Sequence, residues 1–230
     1  MAPDTVHRRS ARWRRRARRF KLPAMTPVQS LIAFVAAASV VVITPGLDTA
    51  LVLRAAASEG RRAGMLAAIG VGAGCLVWGA GVALGLTALL AASHLAFTVL
   101  RVAGAAYLIY LGARLLARPR HGLDLAAAPA AAGHPFRRGL TTNLLNPKAG
   151  VFYVSFLPQF VPPHAPMAPW TFLLAAIHVA LGLIWFAALI AVIGRARAAL
   201  ARPRVTAWLD RATGCVFLGF GARLAWEARS

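Results

Sequence analysis

The chain has 230 residues, of which 59% are hydrophobic and only 14% are charged. Such a composition is typical of a polytopic membrane protein and argues against a soluble domain built around one large core. The net charge of +20 does not indicate nucleic-acid binding, because nine of the 26 Lys and Arg residues fall between Arg8 and Lys21. Most of the others flank apolar segments, which a DNA-binding domain would not require.

Residues 1–24 form a basic segment without an apolar core, so they do not resemble a secretory signal peptide. Met25 follows them and begins the first hydrophobic segment directly. The preferred interpretation is that residues 1–24 are an upstream extension of the reading frame and not part of the native protein. The alternative is a disordered arm that binds anionic lipid headgroups.

Residues 25–117 are predicted to contain three membrane-spanning helices, since each crossing needs about 20 apolar residues. The first, from Pro27, is too long for one straight crossing, and we expect it to be broken at Pro45 and Gly46. The second covers residues 63–92 and the third residues 95–116, with a tight turn at Ser93 and His94 between them.

Residues 118–138 are rich in Ala, Pro and Gly and are predicted to form a long central loop. Three helices follow in residues 139–230: a fourth over 139–161 that is broken at Asn146 and Pro147, a fifth over 170–194 and a sixth over 205–226. The sixth is the least regular, because Asp210 and Arg211 interrupt it early. The prediction is therefore an all-α membrane protein with six transmembrane helices, of which the first and fourth are broken.

Short sequence matches relate the two halves. Residues 100–104 (LRVAG) resemble residues 210–214 (DRATG), and residues 112–115 (GARL) recur as residues 221–224. Because each half has an odd number of helices, the second half enters the membrane from the opposite side, which predicts two inverted three-helix repeats. Chance similarity between Gly- and Ala-rich helices is the alternative.

Among the predicted loops, positive charge is confined to alternate ones. The connections between helices one and two, three and four, and five and six carry arginines. The turn at Ser93 and the proline-rich segment 158–169 carry no Lys or Arg. The positive-inside rule places the basic loops in the cytoplasm and both termini outside, which residues 1–24 contradict. The arginines of the basic loops are Arg54, Arg61, Arg62, Arg118, Arg120, Arg137, Arg138, Arg195, Arg197, Arg202 and Arg204.

Each helix break places a proline beside an ionisable residue, Asp48 or Lys148, inside an apolar segment. Freed backbone groups and charges in lipid require protein partners or a water-filled cavity, and paired breaks in two halves indicate a transporter binding site. Asp48 is suited to take up a proton or bind a substrate ammonium, with a helix N-cap as the alternative. Lys148 is suited to bind a carboxylate or to pair with Asp48, with a structural ion pair or a lysine that snorkels to the membrane interface as the alternatives. We expect both breaks to face one cavity at mid-membrane depth.

Polar residues beside the breaks extend this candidate site. Thr49, Asn143 and Asn146 can donate and accept hydrogen bonds there, although such residues also serve helix packing in membranes. His178 is a weaker candidate for proton relay, since packing is its favoured interpretation. No catalytic, metal-binding or phosphate-binding motif occurs, so an enzyme is disfavoured and no metal or cofactor is expected.

Six sequence blocks together resemble the LysE/RhtB family of bacterial amino-acid exporters over residues 25–226. The resemblance implies a six-helix exporter of amino acids or their derivatives in the bacterial inner membrane, driven by the proton motive force, with a small amino acid and the lipid bilayer as partners. The alternatives are export of another small metabolite or cation, or a non-transporting membrane assembly subunit; a homo-oligomer stays open. The blocks are TPGLD (44–48), GRRAG (60–64), AAYLIYLG (105–112), FRRG (136–139), NLLNPKA (143–149) and FLPQF (156–160).

Overall fold

The structure is a computed structural model that describes residues 26–120, 122 and 133–227. The basic segment 1–24 and most of the central loop lie outside the described residues. Within the described residues every regular element is helical. The helices are α1 (Pro27–Ile43), α2 (Leu47–Ser58), α3 (Arg61–Ala92), α4 (His94–Ala117), α5 (Pro135–Leu144), α6 (Pro147–Phe156), α7 (Met167–Ala191), α8 (Ile193–Leu200) and α9 (Pro203–Glu227).

The first predicted span is divided at its proline. α1 ends at Ile43, α2 begins at Leu47, and the two helices are bent by 56° relative to each other. Pro45 has no backbone N–H to donate, so the helical hydrogen-bond ladder stops there. Gly46 then caps α2 in an extended conformation, without a side-chain hydrogen bond.

The second break lies at Asn146 and Pro147. α5 ends at Leu144, and the carbonyl of Asn146 accepts hydrogen bonds from the backbone N–H groups of Ala149 (3.0 Å) and Gly150 (3.2 Å), which begin α6. A 3-10 helix, Leu157–Phe160, extends α6. The two breaks therefore fall where the two prolines predict them.

Several helix boundaries differ by a few residues from the sequence prediction. α5 begins at Pro135 and α9 at Pro203, each a few residues earlier than predicted, because a proline in the first helical turn needs no N–H partner. α9 also continues through Asp210, so the prediction that this residue interrupts the helix is wrong. Its carboxylate is neutralised by a partner described below.

By length and composition, two helices of the described residues are able to cross a membrane on their own. They are Arg61–Gly85 within α3 and Met167–Ala191, and the bent pair α1 and α2 would make a third. α4 contains a shorter apolar stretch, Val102–Ala117. The other predicted crossings and the repeat architecture stay predictions.

The bundle is organised around α3, which packs against α2, α5 and α7, while α4 packs along α9. Glycines make the closest crossing possible. A Cβ atom on Gly70 would clash with the backbone of α5 at Phe136, and a Cβ atom on Gly139 would clash with the backbone of α3 at Ala67. Small residues let membrane helices approach closely enough to interlock. Gly70 therefore allows the close packing of α3 on α5.

Candidate functional site

A cavity of about 460 Å³ lies inside the bundle and is reached by both helix breaks. From the first break, Thr44, Asp48 and Thr49 line it. From the second break, Asn143 and Asn146 line it. The remaining wall is largely aliphatic and aromatic, with side chains from α3, α4, α6 and α7. The sequence prediction that the two breaks face a shared space thus agrees with the geometry.

A hydrogen bond connects the two breaks directly. The Asn143 side-chain N–H group donates to Oδ2 of Asp48 at 3.0 Å, which joins α5 to α2. Asn143 is fully buried, and its Nδ2 also lies 3.4 Å from Sγ of Cys75 in α3. Its Oδ1 has no hydrogen-bond partner among the described residues and packs against Gly74, where a Cβ atom would lie only 2.7 Å away. Gly74 therefore makes room for the Asn143 amide.

Asp48 is not the N-cap of the helix that follows the break. That position belongs to Gly46, and Asp48 lies in the first turn of α2. The alternative in which Asp48 only caps the helix is therefore wrong, although an acidic side chain in the first turn still interacts favourably with the helix dipole.

The other predicted site residues are placed as follows. Thr49 and Asn146 are buried in the cavity wall. Lys148 lies in the first turn of α6, one residue after Pro147, but the side chains of both are outside the described part of the structure. The predicted pairing of Asp48 with Lys148 accordingly stays a prediction.

A polar chain that the sequence analysis missed continues from Asn143 across the bundle. The Cys75 thiol also hydrogen-bonds with the Tyr153 hydroxyl, and the Tyr153 hydroxyl lies 2.8 Å from Nδ1 of His178. All of these groups line the cavity, and they come from α3, α6 and α7. Because the partners lie on separate helices, no sequence spacing could have identified them. Cys75 is thus part of a polar network.

A cluster of arginines lines the cavity at the end of α4. Arg114 and Arg118 are one helical turn apart, and Arg120 follows the helix. Asp210 of α9 has a fully buried side chain and accepts hydrogen bonds from the Arg120 backbone N–H (2.9 Å), from Nε (3.0 Å) and from Nη2. The carboxylate predicted to interrupt the sixth helix is therefore the buried half of an ion pair with a partly exposed arginine.

The first break is also tied to α9. The Thr44 hydroxyl lies 2.8 Å from the carbonyl oxygen of Val40 and 3.2 Å from that of Leu209, and it contacts the Thr213 hydroxyl. These contacts satisfy a polar side chain within an apolar bundle, and they fix the end of α1 against the second half of the chain.

No group of three or more His, Cys, Asp or Glu side chains in the described residues is arranged to hold a metal ion. The polar groups of the cavity are instead one carboxylate, amides, hydroxyls, an imidazole and guanidinium groups. This set is suited to binding a small molecule that carries both an ammonium and a carboxylate group.

Comparison with known proteins gives consistent matches. Residues 39–228 match the family described as LysE type translocator. The uncharacterized membrane protein YrhP of Bacillus subtilis (strain 168) is 32% identical over 206 residues, which cover 85% of this chain and 98% of that protein. The threonine efflux protein of Salmonella typhimurium is 30% identical over 190 residues, covering 80% of this chain and 92% of that protein.

Another relative is named for a different amino acid. The leucine efflux protein of Klebsiella pneumoniae is 32% identical over 204 residues, which cover 86% of this chain and 95% of that protein. No solved structure matches the chain.

Proposed function

This chain belongs to the family of LysE type translocators, and from that premise we propose that it exports an amino acid or an amino-acid derivative from the cytoplasm. Relatives of nearly the same length are named for the efflux of threonine and of leucine. A transporter family is also consistent with a chain that has no catalytic motif. The specific solute is not fixed by these names, because one scaffold serves several substrates.

The observation that carries the proposal is the single cavity shared by the two helix breaks. Its volume of about 460 Å³ lies within the usual range for small-molecule sites. Asp48 and Asn143, one from each break, meet there through a 3.0 Å hydrogen bond. An ionisable group at a broken helix within an apolar bundle is the arrangement expected at a transporter binding site.

In the proposed mechanism, Asp48 binds either the substrate ammonium or a proton. A proton from outside neutralises the carboxylate, and the ammonium is then released outward. After the cavity turns to the cytoplasm, the proton leaves and the next ammonium takes its place. Lys148, together with the positive end of α6, binds the substrate carboxylate. Competition for one carboxylate couples export to proton entry, which is antiport.

Alternation of the cavity between the two sides follows from two inverted repeats that rock against each other. α4 packs closely along α9 between these halves. A Cβ atom on Gly112 would lie 2.8 Å from the carbonyl oxygen of Gly214, and one on Gly214 would lie 2.9 Å from that of Gly112. The repeat alignment pairs Gly112 with Gly221 and Gly104 with Gly214, but Gly221 packs against Ile109 and Gly104 against Ser155. The proposed two-fold relation therefore rests on the sequence matches.

The proposed location is the bacterial inner membrane, which the chain crosses several times. Several arginines at the loop ends are exposed in the structure, among them Arg62, Arg137 and Arg197. Their concentration in alternate loops supports a cytoplasmic position for those loops.

Counterflow in reconstituted vesicles tests the proposal. Vesicles containing the purified protein are loaded with unlabelled threonine, leucine or lysine and diluted into the labelled amino acid. We expect transient accumulation of label for at least one of them, increased by an imposed proton gradient. Protein-free vesicles are the control. Absence of exchange for every amino acid tested would overturn the proposal.

A further inference from the structure

We propose that Arg114, Arg118 and Arg120 form a recognition site for the substrate carboxylate at the cytoplasmic entrance of the cavity, and that Asp210 positions Arg120 in it. The inference rests on the proposed export function and goes further by defining the substrate class. It selects amino acids that have a free carboxylate and no second positive charge.

Three arginines that are close in sequence, at the end of α4 and just after it, line the cavity. Arg114 and Arg118 are four residues apart at the end of α4, and residues with this spacing lie on the same face of a helix. Both line the cavity together with Arg120. Guanidinium groups match the geometry of a carboxylate and bind it through two parallel hydrogen bonds.

Arg120 is held in place from two directions. Its backbone N–H and its Nε both donate to Oδ2 of Asp210, and the Thr206 hydroxyl donates to its carbonyl oxygen at 3.2 Å. The bonds to Asp210 use Nε and Nη2 of the guanidinium, which has five N–H groups in all. The side chain is 36% exposed and lines the cavity. Asp210 therefore fixes the guanidinium without covering it.

The charge at this end of the cavity is positive. Asp210 neutralises one of the three arginines, and neither Arg114 nor Arg118 forms an ion pair within the described part of the chain. A cleft lined by one sign of charge concentrates ligands of the opposite sign. The carboxylate of a substrate is attracted here first, while a lysine or arginine substrate meets repulsion from its side chain.

The predicted orientation places this end of the cavity in the cytoplasm, because Arg118 and Arg120 adjoin the central loop. A substrate then meets the arginines before it reaches Asp48 at the helix breaks. Capture by the carboxylate at the entrance comes first, and at the helix breaks Asp48 then binds the ammonium while Lys148 takes over the carboxylate. The two sites together recognise both charged groups of a zwitterionic substrate.

Transport kinetics of the full-length protein in vesicles test the inference. Arg114→Gln and Arg118→Gln are compared with Arg197→Gln, which removes the same charge from an exposed position of α8 outside the cavity wall. We expect the first two to raise KM roughly tenfold with little change in kcat, as loss of a charged hydrogen bond predicts. Arg197→Gln keeps the wild-type KM. Equal KM values for all three variants would overturn the inference.

Competition with the wild-type protein tests the substrate class. Leucine is expected to inhibit exchange, whereas leucinamide, which lacks the carboxylate, and lysine, which has a second positive charge, inhibit at least tenfold less. Preference for lysine would overturn this inference while leaving amino-acid export intact. Absence of any exchange by the wild type would instead remove the proposed function itself.

The positioning role of Asp210 needs a separate comparison. Asp210→Asn is expected to raise KM to the value of Arg120→Gln, and the double variant is expected to show no further increase, because Asp210 acts through Arg120. A purely structural role would lower the amount of active protein and leave KM unchanged. That outcome would remove Asp210 from the inference, and an unchanged KM in Arg120→Gln would remove Arg120 as well.

Discussion

The two acidic side chains within the apolar helices, Asp48 and Asp210, have different surroundings. Asp48 lines the cavity and accepts a hydrogen bond from the neutral amide of Asn143. Asp210 is fully buried away from the cavity wall and is bound by the Arg120 guanidinium. An ionisable group inside a membrane is costly and persists where it has a function or a partner. In the proposed mechanism the first binds the substrate or a proton, whereas the second holds the Arg120 side chain.

Loss of charge at the breaks is expected to stop transport. Asp48→Asn keeps the shape of the side chain but removes the group proposed to bind ammonium or proton, and Lys148→Met removes the proposed carboxylate ligand. We expect counterflow of both variants to fall to the level of protein-free vesicles, while the amount of protein in the membrane fraction stays normal. Normal export by both variants would contradict the mechanism.

Removal of the buried carboxylate is expected to cost stability. Asp210→Ala removes a fully buried acceptor of three hydrogen bonds from Arg120 and should lower the free energy of unfolding by about 2 kcal/mol. Thermal unfolding in detergent measures the loss. The control is Glu59→Ala, whose carboxylate is 40% exposed and bonds Arg138 at 2.6 Å; we expect a loss below about 1 kcal/mol. Equal losses in the two variants would show that burial does not distinguish them.

At the scale of helices, local chemistry explains which features the sequence revealed. Pro45 and Pro147 marked both breaks, because a proline removes a backbone donor whatever surrounds it. Asp210 was misread as an interruption, since its partner Arg120 is 90 residues away in the chain. The contact of Cys75 with Asn143 was not predicted, for the same reason. Contacts between residues on different helices cannot be inferred from the local sequence around either residue.

The close crossing of α3 and α5 predicts that a single added methyl group destabilises the protein. In Gly70→Ala the new methyl group would overlap the backbone of α5 at Phe136, so we expect the unfolding free energy to fall by about 2 kcal/mol. Gly81→Ala in the same helix is the matched control, because nothing lies within 4 Å of its Cβ position. It should be neutral or slightly stabilising, since alanine favours helix more than glycine does. A neutral Gly70→Ala would show that the two helices separate readily.

Across the whole molecule, contacts between the two halves surround the cavity. Thr44 at the first break contacts Thr213 of α9, and Asn143 at the second break bonds Asp48 of α2. Each break is therefore held by the opposite half of the chain. A rocking motion of one half against the other would change both contacts together and would open the cavity at one side as it closes at the other.

The orientation of the molecule decides whether the arginine cluster receives substrate or releases it. Single cysteines at His164, in the proline-rich connection, and at Arg197, in α8, are introduced after Cys75 and Cys215 are replaced by alanine; both sites are exposed. The segment around Arg197 is rich in arginine and the proline-rich connection is not, so the positive-inside rule places Arg197 in the cytoplasm and His164 outside. We therefore expect a membrane-impermeant maleimide to label His164→Cys in intact cells and Arg197→Cys only after permeabilisation. The cysteine-free protein should not be labelled. The reverse pattern would place Arg114 and Arg118 outside the cell, where they would meet exported substrate rather than capture it.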